Sequence, residues 1–164
     1  MRRPLRIEPG PGQESVWDYP RPPALVPCSS PIEVRFGDRL IASTTGSFRV
    51  LETSHPPTFY LPPIDIPTGS LRPAGGGSVC EWKGRASYWD VIVGEAVIRG
   101  AAWSYPEPTP AFAAIAGFVS FYPAMVDCTV GGVVVEPQPG GFYGGWITPE
   151  VVGPFKGEPG TTWW

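Results

Sequence analysis

Glu52 and His55 stand three residues apart in Leu51-Glu52-Thr53-Ser54-His55-Pro56-Pro57-Thr58-Phe59-Tyr60, and this histidine is the only one among 164 residues. Imidazole titrates near pH ~6.5, so it can give or take a proton near neutrality. The two prolines after it remove backbone freedom that would blur its position. A nearby carboxylate could orient the ring as a general acid or base, or the ring could simply hydrogen-bond a backbone carbonyl and brace its loop. A second charged pair, Glu81 and Lys83, alternates with Trp82 in Val79-Cys80-Glu81-Trp82-Lys83-Gly84. Read as a strand, the period of two sends both charges to one face and the tryptophan to the other. On an open face they form a solvated ion pair contributing about 0.2–1 kcal/mol. On the floor of a cleft they would act on a ligand and on neighbouring pKa values.

Aromatic rings supply the other half of a pocket. Trp103 and Tyr105 are two apart in Ala101-Ala102-Trp103-Ser104-Tyr105-Pro106, an extended segment stiffened by the prolines that follow, and Tyr60 comes shortly after His55. Trp146 closes the glycine-rich run GGFYGGW with Phe142 and Tyr143. Flat walls with few polar groups suit small ligands, although the commoner fate of any one aromatic is the core. The candidate catalytic residues are therefore Glu52, His55, Glu81 and Lys83, and the candidate ligand-binding residues are Tyr60, Trp103, Tyr105 and Trp146. One histidine, separate carboxylates and no paired cysteines do not make a zinc ligand set, and no metal or cofactor is expected. GGFYGGW lacks the GxxxxGK[ST] pattern of a phosphate loop, and no helix follows it.

These residues must be positioned by a scaffold rich in turns. The chain holds 21 glycines and 23 prolines, yet it is 42% hydrophobic, 13% aromatic and only 16% charged. Disordered chains are apolar-poor and highly charged, so the glycines and prolines read as turns within one folded domain. Lysine is rare while Val, Ile, Phe, Tyr and Trp abound, which leans towards strands. Residues 34–43, 91–100 and 128–137 each read as a hairpin, with Gly-Asp, Gly-Glu or Gly-Gly between two β-rich runs. Further strands are expected at 47–52, 58–61, 78–83 and 118–122, giving a mainly β sandwich or small open barrel. One short α-helix interrupts them: Thr109 can cap it, Pro110 suits its first position, Gly117 can end it, and Phe112 and Ile115 hold it by packing.

Residues 1–14, with Arg2, Arg3 and Arg6, read as a flexible arm, and 15–164 as a single β domain. Within it, residues 16–27 form a proline-rich strap anchored by Trp17 and Tyr19. The C-terminal aromatic, glycine- and proline-rich segment wraps the domain. A net charge of −3 and scattered arginines leave no basic stripe for a phosphate backbone, so nucleic acid is not an expected partner. Cys28, Cys80 and Cys128 are odd in number and far apart, which suits reduced, buried thiols. With no apolar run of signal-peptide or bilayer-spanning length, no membrane association and a cytoplasmic location are expected. The oligomeric state stays open, a homodimer included.

The runs VWDYPRPP, RVLETSHPPTFYLPP, CEWKGRASYWDV, AAWSYPEPTPAFAAIAGFVSFYP and PQPGGFYGGWITPEVVGPFKGEPGT together resemble the bacterial family known as domain of unknown function 427, also called nucleotidyltransferase-like, over about residues 15–162. The resemblance implies a β-tent type fold, two sheets meeting at an angle, similar to the cereblon ligand-binding domain and methionine sulfoxide reductase B. Many such relatives hold zinc through two cysteine pairs that this sequence lacks. The family's motifs fall on Glu52, His55, Tyr60, Glu81, Lys83, Trp103 and Tyr105. No clustered aspartates stand ready for magnesium, so the residues themselves do not support transferase chemistry. Three functions follow as expectations: a small-molecule-binding domain with an aromatic-walled pocket carrying Glu, His and Lys; a hydrolase- or isomerase-type enzyme using His55 as general acid or base; or a protein-interaction module using its C-terminal aromatics.

Overall fold

The computed structural model describes residues 4–164, and Arg2 and Arg3 of the expected arm lie outside them. The turn-rich sequence becomes short strands: β1 (Glu14–Ser15), β2 (Ala24–Cys28), β3 (Ile32–Phe36), β4 (Arg39–Thr44), β5 (Ser47–Leu51), β6 (Thr58–Tyr60), β7 (Leu71–Cys80), β8 (Gly84–Val93), β9 (Ala96–Ser104), β10 (Val119–Phe121), β11 (Asp127–Val130), β12 (Val133–Val134), β13 (Glu136–Pro137), β14 (Trp146–Ile147) and β15 (Val151–Val152). The three predicted hairpins are β3–β4, β8–β9 and β11–β12. Gly37, Gly94 and Gly131 take φ of 62°, 59° and 57° at their first turn positions, as two-residue turns require.

The strands build a mainly β domain of two layers. One sheet runs β12-β11-β3-β4 and the other β10-β9-β8-β7. The three-stranded sheet β2-β5-β6 extends the second layer, because Leu61, just after β6, bridges Val119 of β10. Between the layers lies the main core, with Ile32, Val34, Ile41, Phe59, Leu61, Val91, Phe121 and Trp146 among its buried members. Strand alternation then makes a second apolar surface on the opposite side of the extended layer. On β6, Phe59 enters the main core while Tyr60 joins a separate cluster with Val50, Ala86, Trp103, Tyr105, Phe112 and Ile115. That second cluster underlies the candidate site.

The helix expected after Thr109 is present at Pro110–Ile115 as a 3-10 helix, kinked at Phe112 (φ −114°, ψ 18°). Phe112 and Ile115 are buried, so packing holds it, but six residues are too few for α-helical hydrogen bonding to outweigh local geometry. The Thr109 hydroxyl does not cap it. It donates instead to the Trp82 carbonyl at 2.6 Å, while the Thr109 amide donates to the Lys83 carbonyl at 3.0 Å. Thr109 is thus a clasp on the neighbouring turn.

The strap over residues 16–27 opens with a 3-10 turn at Val16–Asp18 and continues as β2. Trp17 and Tyr19 are buried, and the Trp17 indole donates to the Pro154 carbonyl at 2.9 Å and meets the Trp164 ring edge-on at 5.4 Å. The segment before it touches the C-terminal region too. The Ile7 amide donates to Gly153, the Gln13 side chain to Pro149, and β1 pairs in parallel with β15. All three cysteines are free, and only Cys128 is fully buried. Burial pushes its thiol far above the usual range. Among the described residues no helix is long and apolar enough to cross a membrane.

Candidate functional site

His55 is held by a turn that the sequence forms through Ser54, the one non-glycine residue with positive φ among those described (74°). The fully buried Ser54 donates its amide to the Val16 carbonyl at 3.1 Å, and its carbonyl accepts the Lys156 amide at 2.9 Å. Anchors on both sides offset the cost of a left-handed backbone. The turn closes with the His55 amide on the Glu52 carbonyl at 3.0 Å, which brings the imidazole Nε2 to 3.5 Å from a Glu52 carboxylate oxygen.

Gln138 fixes the other side of the ring. Its Oε1 accepts the Gly145 amide at 3.1 Å, and its Nε2 donates to the Lys156 carbonyl at 2.8 Å and to His55 Nδ1 at 3.1 Å. With Nδ1 accepting, the proton of the neutral imidazole sits on Nε2, facing Glu52. Burial pushes the His55 pKa down to about 4; Glu52 pulls it up, but Lys156, Arg21 and Lys83 reinforce the fall. Glu52 is itself engaged by Arg21 at 3.2 Å. The ring is therefore neutral at pH 7, and both nitrogens face protein groups.

His55, Glu52, Tyr60, Glu81, Lys83, Trp103 and Tyr105 all line one cleft of about 400 Å³. Its floor is aromatic. Tyr60 lies 6.2 Å from Trp103 and 6.3 Å from Tyr105, while Trp103 lies 4.4 Å from Tyr122. The Trp103 indole N–H donates to the Tyr60 hydroxyl at 3.2 Å. Burial raises the hydroxyl pKa values of Tyr60 and Tyr105, so both stay protonated in the neutral range.

Two sequence expectations need correction. Glu81, Trp82 and Lys83 do not alternate along a strand: β7 ends at Cys80, β8 starts at Gly84, and the three residues between them form the reversing turn. All three consequently line the cleft, with Lys83 Nζ 5.5 Å from the Tyr105 ring centre. Trp146 is not a cleft residue. It is fully buried in the main core, stacked on Phe59 at 5.0 Å, with its indole N–H on the Phe121 carbonyl at 2.9 Å. Its large apolar surface and single donor are both satisfied inside the protein.

The loop between β13 and β14 supplies what the sequence reading missed. It is pinned at its base by Gln138 and Gly145, and it places Tyr143 edge-on to His55 at 4.8 Å. Lys156 Nζ lies 5.5 Å from the Tyr143 ring centre. A polar Gln138 between Pro137 and Pro139, and Lys156 as one of just two lysines, were the available signals. Gly144 approaches so closely that a Cβ there would overlap the Trp103 indole. Gly144→Ala is expected to displace loop or indole at a cost of about 1–3 kcal/mol. Urea denaturation with tryptophan emission as readout checks this; an unchanged midpoint and spectrum would contradict the contact.

Fold and site together define a mainly β domain with an aromatic-floored cleft containing a neutral histidine. The chain belongs to the family described as Domain of unknown function (DUF427), whose model matches residues 24–132. No curated protein matches it. Among the described residues no three His, Cys, Asp or Glu side chains converge as a metal site would require.

Proposed function

We propose that this domain binds a small molecule in the cleft between the His55 turn, the β7–β8 turn and the β13–β14 loop. The observation that carries the reading is the convergence of Tyr60, Trp103, Tyr105, Tyr122 and Tyr143 with the charged and polar groups of Glu52, His55, Lys83 and Gln138 in one concave site. About 400 Å³ lies within the range of ligand pockets. The state of His55 favours binding over proton transfer. A general base near neutrality needs a free nitrogen lone pair, and here Nδ1 is occupied by Gln138 while Nε2 carries the proton.

A metabolite panel scanned by thermal shift tests this. A ligand present at a hundredfold its Kd adds about 2.7 kcal/mol of stability. Trp103→Ala, once shown to be folded by circular dichroism, is expected to abolish every shift that reflects the cleft; Tyr105→Ala provides the same test if the first variant fails to fold. Shifts that survive in the folded variants would remove the cleft reading.

A further inference from the structure

Resting on the reading of the cleft as a small-molecule site, we propose that its ligand is a planar organic carboxylate, with the ring system between the aromatic side chains and the carboxylate at Lys83. Donors in the cleft outnumber the acceptors left to meet them. Tyr60 accepts the Trp103 indole proton, but its own hydroxyl proton has no acceptor among the described residues, although the side chain is only 1% exposed. The hydroxyl of Tyr105 makes no hydrogen bond, and Lys83 Nζ makes neither hydrogen bond nor ion pair among the described residues.

The carboxylate, amide and imidazole acceptors of the interior, in contrast, are used. Glu52 faces Arg21 and His55, Gln138 Oε1 takes the Gly145 amide, and His55 Nδ1 takes the Gln138 amide. Glu81 also lines the cleft and has no partner among the described residues, but it is exposed at the mouth, where water solvates it. Below that mouth, an interior that offers protons and one ammonium with its carboxylate, amide and imidazole acceptors already engaged is complementary to an anion rich in oxygen. A cationic ligand fares worse at two of these rings, because Lys83 already lies over Tyr105 and Lys156 over Tyr143, and both ammoniums would repel it. Lys156 is further engaged with the Trp164 carbonyl at 3.4 Å, which leaves a single ammonium for the ligand and matches one negative charge rather than a phosphate dianion.

Calorimetric titration of the full chain at pH 7.5 with 2-naphthoate, 2-naphthamide and 2-naphthylmethylammonium separates charge from ring. The carboxylate is expected to bind about tenfold or more tightly than the other two, as a charge-assisted hydrogen bond implies. Lys83→Met keeps the stem over Tyr105 and removes the charge; it is expected to bring the carboxylate down to the amide's affinity while changing the amide less than about twofold. Equal affinities for the three probes, or a carboxylate advantage that survives Lys83→Met, overturns the anion assignment and leaves the cleft standing as a binding site. The same holds if none of the probes binds and every Trp103-dependent hit from the metabolite panel is neutral or cationic. If neither the probes nor the panel give a Trp103-dependent signal, the small-molecule reading falls with it.

Discussion

Replacing Trp146 by alanine is expected to lower stability by about 3–5 kcal/mol, a large share of the ~5–15 kcal/mol that holds a typical domain together. The indole is wholly removed from solvent and stacks on Phe59 between the layers, so truncation leaves a cavity among β6, β10 and β14 that the surrounding strands can only partly close. The deletion also strands the Phe121 carbonyl, which now accepts the indole proton. Trp146→Phe separates the two effects. It preserves stacking but not the hydrogen bond, and is expected to cost about 1–3 kcal/mol. Denaturant midpoints at unchanged m-value give both numbers. Because Trp146 faces the main core and not the cleft, Trp146→Phe should leave any ligand-induced shift in place. A loss below about 1 kcal/mol for the alanine variant would contradict the burial on which this rests.

Acidification is expected to remove about 3 kcal/mol between pH 6.5 and pH 4 through His55 alone. The unfolded chain takes up an imidazole proton near pH 6.5, while the folded protein resists it until about pH 4. Over that window the unfolded state binds more protons than the native state, so stability falls as pH falls, by up to about 1.4 kcal/mol per pH unit. Above pH 6.5 both states are neutral at this site and the contribution is complete; below pH 4 both are protonated and no more is lost. The causes are local: burial behind Tyr143 and Gln138, with Lys156, Arg21 and Lys83 against the attraction of Glu52. Carboxylates titrate in the same range, so the measurement is a difference. Urea unfolding of wild type and His55→Gln at pH 4.5 and pH 7.5 should show a smaller pH effect in the variant, by roughly 2–3 kcal/mol. Equal pH effects would mean that the imidazole is not held neutral by the fold.

The two predictions concern opposite faces of the same layer, and that division explains what was legible beforehand. Hairpins at 34–43, 91–100 and 128–137 could be read locally, because a glycine at the first turn position between β-branched runs carries its geometry with it. Glu52 and His55 could be named as candidates from their types and spacing, but their meeting depends on the Ser54 turn, which the distant Val16 carbonyl and Lys156 amide hold. The candidacy of Tyr60, Trp103 and Tyr105 followed from aromatic surface next to stiff segments.

The sequence by itself determined the strand-rich class, the glycine turns and the set of polar and aromatic residues available for a site. Tertiary structure decided which of them meet. Period two could not tell that Glu81-Trp82-Lys83 would reverse the chain, since that depends on Thr109 clasping the turn from 26–28 positions away. Nor could it tell that Trp146 turns inward while Tyr143, three residues earlier, reaches His55, because both rings have the surface for either place. Burial energy is nearly indifferent to which aromatic fills which space, so the choice falls to partners far away in the chain: the Phe121 carbonyl for one ring, and the imidazole and Lys156 for the other.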